Sequence, residues 1–368
     1  MTYSCHWIRC KDTFRRALLV VVAIPAVASA QTATAWPEAD KLFHSDPRWL
    51  GADGAFSIDL GNDRVLWLFG DSFVARKPGN GRRNAAFVRN TVAIQTGYDP
   101  SHAAIKFYWR TIKGEPAEIF QSEGKIWMWP SHGIRVGNRL LLFCSRIASD
   151  PTKNSLGFKS AGWVAYFVSN PDKEPTAWSL QKAMEGYGKI VLASSVLREG
   201  EFVYLVGVSD PDHDLYIARL TAKAVEQGRF SALEWWSGKG WQPSESSSQP
   251  VIRGAATEAS VQRDPRVSGF IEINSRGFGA TDIVTRCAPR LEGPWAPPQE
   301  IYRPPESNAP DAFVYAGKSH PELRGADLVI TYAANGSDER VATDMSIYFP
   351  RFVRVQLAQE SPASCRAN

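Results

Sequence analysis

The chain is poor in cysteine, almost without helical periodicity and, past its first thirty residues, free of long apolar runs. Only three of its five cysteines lie beyond that point: Cys144, Cys287 and Cys365. They form no CxxC pair and no closely spaced even framework, which excludes a disulfide-stapled miniprotein and allows one bridge at most. No HxxxH spacing occurs, so no catalytic metal and no other cofactor is expected. GxSxG, the P-loop and GxGxxG are also missing, leaving serine-hydrolase, NTPase and dinucleotide readings without a motif. Excess charge is lacking as well. Removing residues 1–30 takes away Arg9, Lys11, Arg15 and Arg16 and one acid, Asp12, leaving 38 basic and 37 acidic residues. So balanced a chain gives no electrostatic reason to expect nucleic acid or an anionic membrane as partner.

The first thirty residues read as an export signal. Arg15 and Arg16 precede the apolar run from Ala17 to Val27, which closes on Ala28-Ser29-Ala30. A charged start, a short apolar stretch and a small-x-small site describe a secretory signal peptide, and the run is short for a bilayer span. The expected protein is secreted or periplasmic, begins near Gln31 and carries no membrane anchor after cleavage.

What is present is strand. Short runs rich in Val, Ile, Phe, Tyr and Trp alternate with Gly, Asn, Asp and Pro, and only Thr221 to Gln227 reads as helix. Five times a strand, a tight polar turn and a strongly apolar strand follow one another. The pairs are Gly54–Leu60 with Val65–Gly70, Gly133–Val136 with Arg139–Ser145, Ser195–Leu197 with Phe202–Val208, Ala259–Gln262 with Ser268–Asn274, and His320–Leu323 with Leu328–Ala333. Further strand-like segments follow each hairpin, so each unit holds about four strands. One four-stranded sheet per repeat is the plan of a propeller. The expected fold is therefore all-β, a five-bladed β-propeller over residues 31–358 with a tail at 359–368. Residues 36–44 are expected to supply its closing outer strand. A pair of β-sandwiches is the alternative, though it requires no fivefold recurrence.

Antiparallel order puts the start of each first strand, the end of the second and the start of the third on one face. That face collects Asp53, Asp71, Ser72 and Asn90 from the first unit, and Trp129, His132 and Arg146 from the second. Asp210 comes from the third, and Glu258, Asn274 and Arg276 from the fourth. The fifth adds His320, Asn335, Tyr348 and Arg351. Each has a plainer reading as a turn cap, a core group or an ion-pair partner; their convergence is what points to chemistry. Paired carboxyls across a sugar are the glycosidase arrangement, one giving a proton and the other activating water or attacking. Asp53 and Asp71 are the expected pair, with Glu258 as the competing third carboxylate. Asn90, Trp129, His132, Arg146, Asn274, His320, Asn335, Tyr348 and Arg351 would hold the sugar. A non-catalytic glycan-binding propeller, a protein-binding propeller and a lyase using His and Tyr are the rival readings.

Six blocks carry a resemblance. Ala52-Asp53-Gly54-Ala55, Leu66-Trp67-Leu68-Phe69-Gly70-Asp71-Ser72-Phe73 and Arg89-Asn90-Thr91 resemble the opening blade of domain-of-unknown-function family 4185. Lys318–Leu323, Ile330–Asn335 and Tyr348–Phe352 resemble its closing blade. The resemblance implies a five-bladed propeller related to glycoside hydrolases, with Asp53 and Asp71 at the acidic positions of the first blade. Some members act as endo-D-arabinofuranases, so the implied partner is a polysaccharide or oligosaccharide, arabinan-type glycans among the options. A monomer is expected. Mass spectrometry of the exported protein is expected to give an N-terminus near Gln31; an intact Met1 terminus in that fraction would refute the signal-peptide reading.

Overall fold

A computed structural model describes residues 32–152, 157–231, 233–267, 269–311, 313–323 and 327–357. The proposed signal peptide, Cys365 and the 359–368 tail lie outside these residues. Five antiparallel sheets of four or more strands follow one another along the chain. The first pairs Phe56–Gly61, Arg64–Phe69, Thr91–Thr96 and Ala104–Tyr108. The second pairs Ile126–Val136, Arg139–Ser149, Phe158–Val168 and Leu180–Gly186. The third starts with Ile190–Glu199, Phe202–Ser209 and Leu215–Thr221, and the fourth with Ser260–Asp264, Gly269–Ser275 and Ile283–Ala288. The fifth runs Phe313–Ser319, Leu328–Asn335, Arg351–Gln356 and, from the other end of the chain, Thr32–Ala35. No helix among the described residues is long and apolar enough to cross a membrane.

Local chemistry accounts for the hairpins. Gly61 and Arg64 face each other across Asn62-Asp63, both at positive φ, which is the two-residue turn whose twist matches the flanking strands. The second strands read as unbroken apolar runs because both faces of each sheet are covered: Arg64–Phe69 is buried at every residue but the first. Five hydrophobic clusters lie between successive sheets. Ile58 and Leu68 meet Leu140 and Val164, and Leu141 and Phe143 meet Ile190 and Leu205. Val206 and Ile217 meet Val261 and Phe270, and Ile271 and Ile273 meet Ile330 and Tyr332. The fifth joins last to first, with Val329 and Phe352 against Val65, Trp67 and Phe69. Each fully buried Leu or Ile here contributes about 1.5–3 kcal/mol.

Two expectations need correction. The outer strand of the last sheet is Thr32–Ala35, paired with Arg351–Gln356 from Thr32↔Gln356 to Ala35↔Val353. Residues 36–44 instead turn into the helix Pro37–Asp40 and the 3-10 segment Lys41–His44, with Pro37 at a helix start where its missing N–H is harmless. The innermost strand of the fifth sheet is Phe313–Ser319, and His320–Leu323 leads into the turn. Pro321 cannot donate to the ladder, so the strand stops before it. The expected turn at 324–326 lies outside the described residues. The one expected helix is present as Ala222–Glu226, capped by the Thr221 hydroxyl accepting from the Ala224 N–H.

Ends of the chain far apart in sequence are also tied by Arg82. Its fully buried guanidinium donates to the carbonyls of Leu50, Val341, Asp344 and Ile347 at 2.5–2.9 Å. Burial pulls its pKa down to about 10. Arg82→Ala strips four carbonyls of their donor and is expected to cost about 3 kcal/mol. Urea unfolding checks this, and an unchanged midpoint would contradict the clamp.

Candidate active site

Asp53 occupies the bend between Trp49–Ala52 and Phe56–Gly61. Its carbonyl accepts from the N–H groups of Ala55 and Gly70 at 3.1 and 3.0 Å, which holds the bend against the end of Arg64–Phe69. Gly70 is required there: a Cβ would stand 2.4 Å from Asp53 Oδ1. Tyr315 on the fifth sheet donates its hydroxyl to Asp53 Oδ2 at 2.7 Å. Burial, then the charges of Asp71 and Glu258, push the Asp53 pKa up to about 8, against the Tyr315 hydrogen bond and the Lys318 charge.

Asp71 follows directly on the second strand. Trp129 Nε1 donates to its Oδ1 at 2.9 Å, and Arg89 Nη1 donates to Oδ1 and Oδ2 at 3.3 and 3.1 Å. Arg89 is held in turn over the rings of Trp127 and Phe87, at 4.3 and 5.2 Å. The Tyr348 hydroxyl donates to the Asp71 carbonyl at 3.0 Å. Burial raises the Asp71 pKa while Arg89 and Trp129 oppose it. Glu258, just before Ser260–Asp264, is raised by burial with Lys318 as the opposing charge.

Lys318 is buried among these acids. Its ammonium donates to the carbonyls of Gly54 and Ala316, the latter at 2.9 Å, and sits 4.5 Å from the centre of the Phe56 ring. The structure thus brings Asp53, Asp71, Glu258, Trp129 and Tyr348 together. It adds three residues that sequence reasoning missed: Arg89, Tyr315 and Lys318. A signal existed for one. Lys318 is the single charge in the run Phe313–Ser319.

The other expected sugar ligands are engaged elsewhere. Asn90 is buried, donating to the carbonyls of Phe120 and Met128 and accepting from the Phe120 N–H, all at 2.9 Å, so its amide is a backbone clamp. His132 accepts from the Val196 N–H at 3.0 Å and joins the second sheet to the third, with burial pushing its pKa down to about 4. His320 sits between Ser57 and Thr331, 2.5 and 2.7 Å away, beside the Trp67 ring. Both its nitrogens are occupied in the core. Arg146 belongs to an ion cluster with Glu123 and Glu185. Asn274 accepts from Arg286, whose other partner is the buried Glu272. Asn335 caps the Gly336 N–H, and Arg351 is paired with Asp40. Each has a local partner because a buried polar group without one is costly.

Among the described residues no group of three His, Cys, Asp or Glu side chains is placed to hold a metal ion. A separate polar cavity of about 510 Å³, lined by Lys189, Tyr216, Glu245, Gln249 and Arg253 among others, opens at the start of the third sheet and shares no residue with the acidic cluster. Cys144 is a free, buried thiol, and Cys287 is disulfide-bonded.

With the geometry in view, the chain can be placed among known proteins. It belongs to a family described as a domain of unknown function, DUF5005, whose model matches residues 38–357. The expected membership of family 4185 is not shown by this match, while the propeller relationship implied by the sequence blocks is compatible with it. No curated protein matches. A Bacteroides ovatus protein that carries only a provisional hydrolase designation shares the fold at a TM-score of 0.71 and 17% identity, over 88% of this chain and 90% of that one. Weaker likenesses include an exo-β-1,3-galactanase of Phanerochaete chrysosporium (TM-score 0.47, 13% identity, 83% and 60% covered). The catalytic domain of a Coprinopsis cinerea GH62 α-L-arabinofuranosidase is another (TM-score 0.46, 11% identity, 84% and 92% covered).

Folding raises the Asp53 pKa, so the folded state keeps a proton that the unfolded chain gives up. That contribution to stability is fully present at low pH and is lost as pH rises through about 8. Asp53→Asn lacks it, and its urea midpoint is expected to fall less than the wild type's between pH 5 and 8.5. Parallel slopes in the two proteins would count against a protonated Asp53.

Proposed function

For this member of family 5005 we propose an exported glycoside hydrolase that cuts a polysaccharide or oligosaccharide, its five sheets being the blades of a five-bladed propeller. The carrying observation is Asp53, a carboxyl raised to about 8 by burial and by two further carboxyls that converge on it. Three acids this close cannot all ionise near neutral pH, so the cluster keeps a proton while also holding charge, which acid–base hydrolysis demands.

Hydrogen bonding separates the roles. Asp71 has both oxygens engaged by Arg89 and one by Trp129, so it is held in place to position and tune its neighbours. Asp53 and Glu258 are the working pair, in place of Asp53 with Asp71. The protonated member gives its proton to the glycosidic oxygen as the bond from that oxygen to the anomeric carbon breaks. The ionised member takes a proton from the water whose oxygen bonds to that carbon, or attacks the carbon itself. Tyr315 and Tyr348 hold Asp53 and the Asp71 backbone in place. Export is supported by the N-terminal signal pattern and by the disulfide at Cys287, a state of cysteine typical of oxidising compartments.

Reducing-end release from a polysaccharide panel, arabinogalactan included, tests the reading. Asp53→Asn and Glu258→Gln are each expected to lower kcat at least ~10²-fold. Full activity in both variants sinks the glycosidase model, and binding without release from any polymer moves the protein to the glycan-binding class. Asp71→Asn removes a charge that raises Asp53, so the alkaline limb of its pH–rate profile is expected below the wild-type position near 8. A limb that stays put or moves up would show that Asp71 does not tune the pair.

A further inference from the structure

One large aromatic ring that packs on the neighbours of the acids remains about half exposed. Phe278 lies in the loop between Gly269–Ser275 and Ile283–Ala288, with its side chain about half exposed, at 46%. The loop is not loose. Gly279 accepts from the Val314 N–H at 3.0 Å, and the Arg276 N–H donates to the Asp282 carbonyl at 2.8 Å. The Thr281 N–H donates to Ser307 Oγ, which itself donates to the Thr281 carbonyl at 2.7 Å.

The anchoring stacks the Phe278 ring on Phe313, with centroids 5.6 Å apart and planes 17° from parallel. Phe313 contacts Tyr315 at 5.3 Å, and Tyr315 is the residue whose hydroxyl reaches Asp53. On its other side Phe278 meets the edge of His213 at 6.3 Å, and His213 is hydrogen-bonded at 3.2 Å to Thr257, the neighbour of Glu258. The exposed ring is therefore linked to both members of the working pair, through Tyr315 on one side and through His213 and Thr257 on the other.

We propose that Phe278 is a stacking platform for a sugar ring of the glycan adjoining the residue held at Asp53 and Glu258, so that the protein recognises a chain of sugars and not a single unit. The proposal rests on the glycoside-hydrolase reading and deepens it. A pre-ordered aromatic face buries the C–H face of a pyranose or furanose at little entropic cost, whereas an exposed Phe serving no partner only adds apolar surface. Phe278 itself makes none of the hydrogen bonds that hold the acids, so its loss leaves those bonds in place. The discriminating signature is a split between long and short substrates.

The experiment compares wild type, Phe278→Ala and Phe278→Trp on arabinogalactan and on p-nitrophenyl arabinofuranoside and galactopyranoside. Phe278→Ala is expected to raise KM for the polymer about 3- to 10-fold, with kcat on the aryl glycosides unchanged and Phe278→Trp restoring polymer KM. Equal effects on polymer and aryl glycosides, or none on either, overturn the platform. Affinity electrophoresis of the same three proteins in a Glu258→Gln background, in gels containing arabinogalactan, separates this idea from the enzymatic one. Binding lost in the Ala form and kept in the Trp form upholds the platform even if the wild type cleaves nothing. Identical migration of all three forms refutes it even if the wild type is an active hydrolase.

Discussion

The seam between the last sheet and the first is the constraint on which everything else depends. Lys318, a cation from the fifth sheet, reaches the Gly54 carbonyl at the bend that carries Asp53, and Tyr315 from the same strand donates to the Asp53 carboxyl. His320 takes Ser57 of the first sheet, and Arg82 binds carbonyls on both sides of the same junction. Burying an ammonium is expensive unless it is hydrogen-bonded and balanced by charge. Here both conditions are met only when the two ends of the chain have come together. The same closure assembles the acidic cluster, so forming the site and closing the fold are one event.

The electrostatics follow from that geometry. Lys318 opposes the rise in the pKa values of Asp53 and Glu258, while its own is pulled down by burial. Asp71, matched with Arg89, raises Asp53. One cation thus moderates two acids while a third acid, whose own rise Arg89 and Trp129 oppose, pushes Asp53 the other way. A carboxyl standing near 8 is the residue of this contest, and it explains why loss of Asp71 should move the pH profile.

Much of the fold could be read from the sequence because hairpin turns are local. Asn62-Asp63 and Gly137-Asn138 stand where strands must reverse, and four of the five inner hairpins fall where the turns place them. In the fifth, the inner strand lies earlier than expected, and the expected turn is outside the described residues. Pro321 ends the inner strand at Ser319, whereas the Gly-containing turn expected at 324–326 places that strand at His320–Leu323. The closing strand was displaced for a similar reason: Thr32–Ala35 has little apolar character and gains its place by pairing with Arg351–Gln356, a partner more than three hundred residues away. Non-local pairing leaves no local pattern to find.

The site was legible in its acids and illegible in its supports. Counting polar residues on one face finds Asp53, Asp71 and Glu258, but it also gathers Asn90, His132, His320 and Asn274, whose donors and acceptors are used within the protein. Several buried strand ends here carry polar groups that serve to satisfy one another. What separates a functional group from a structural one is its remaining hydrogen-bonding capacity once neighbours are accounted for. By that measure Glu258, whose only opposing charge is Lys318, stands nearer the chemistry than Asp71, which three side-chain hydrogen bonds hold. The sequence favoured Asp71 because it ends an apolar strand in a recognisable block, whereas Glu258 follows an irregular loop. Visibility in a sequence measures regularity of the surroundings, and a reacting group gains most from surroundings that leave it a free lone pair.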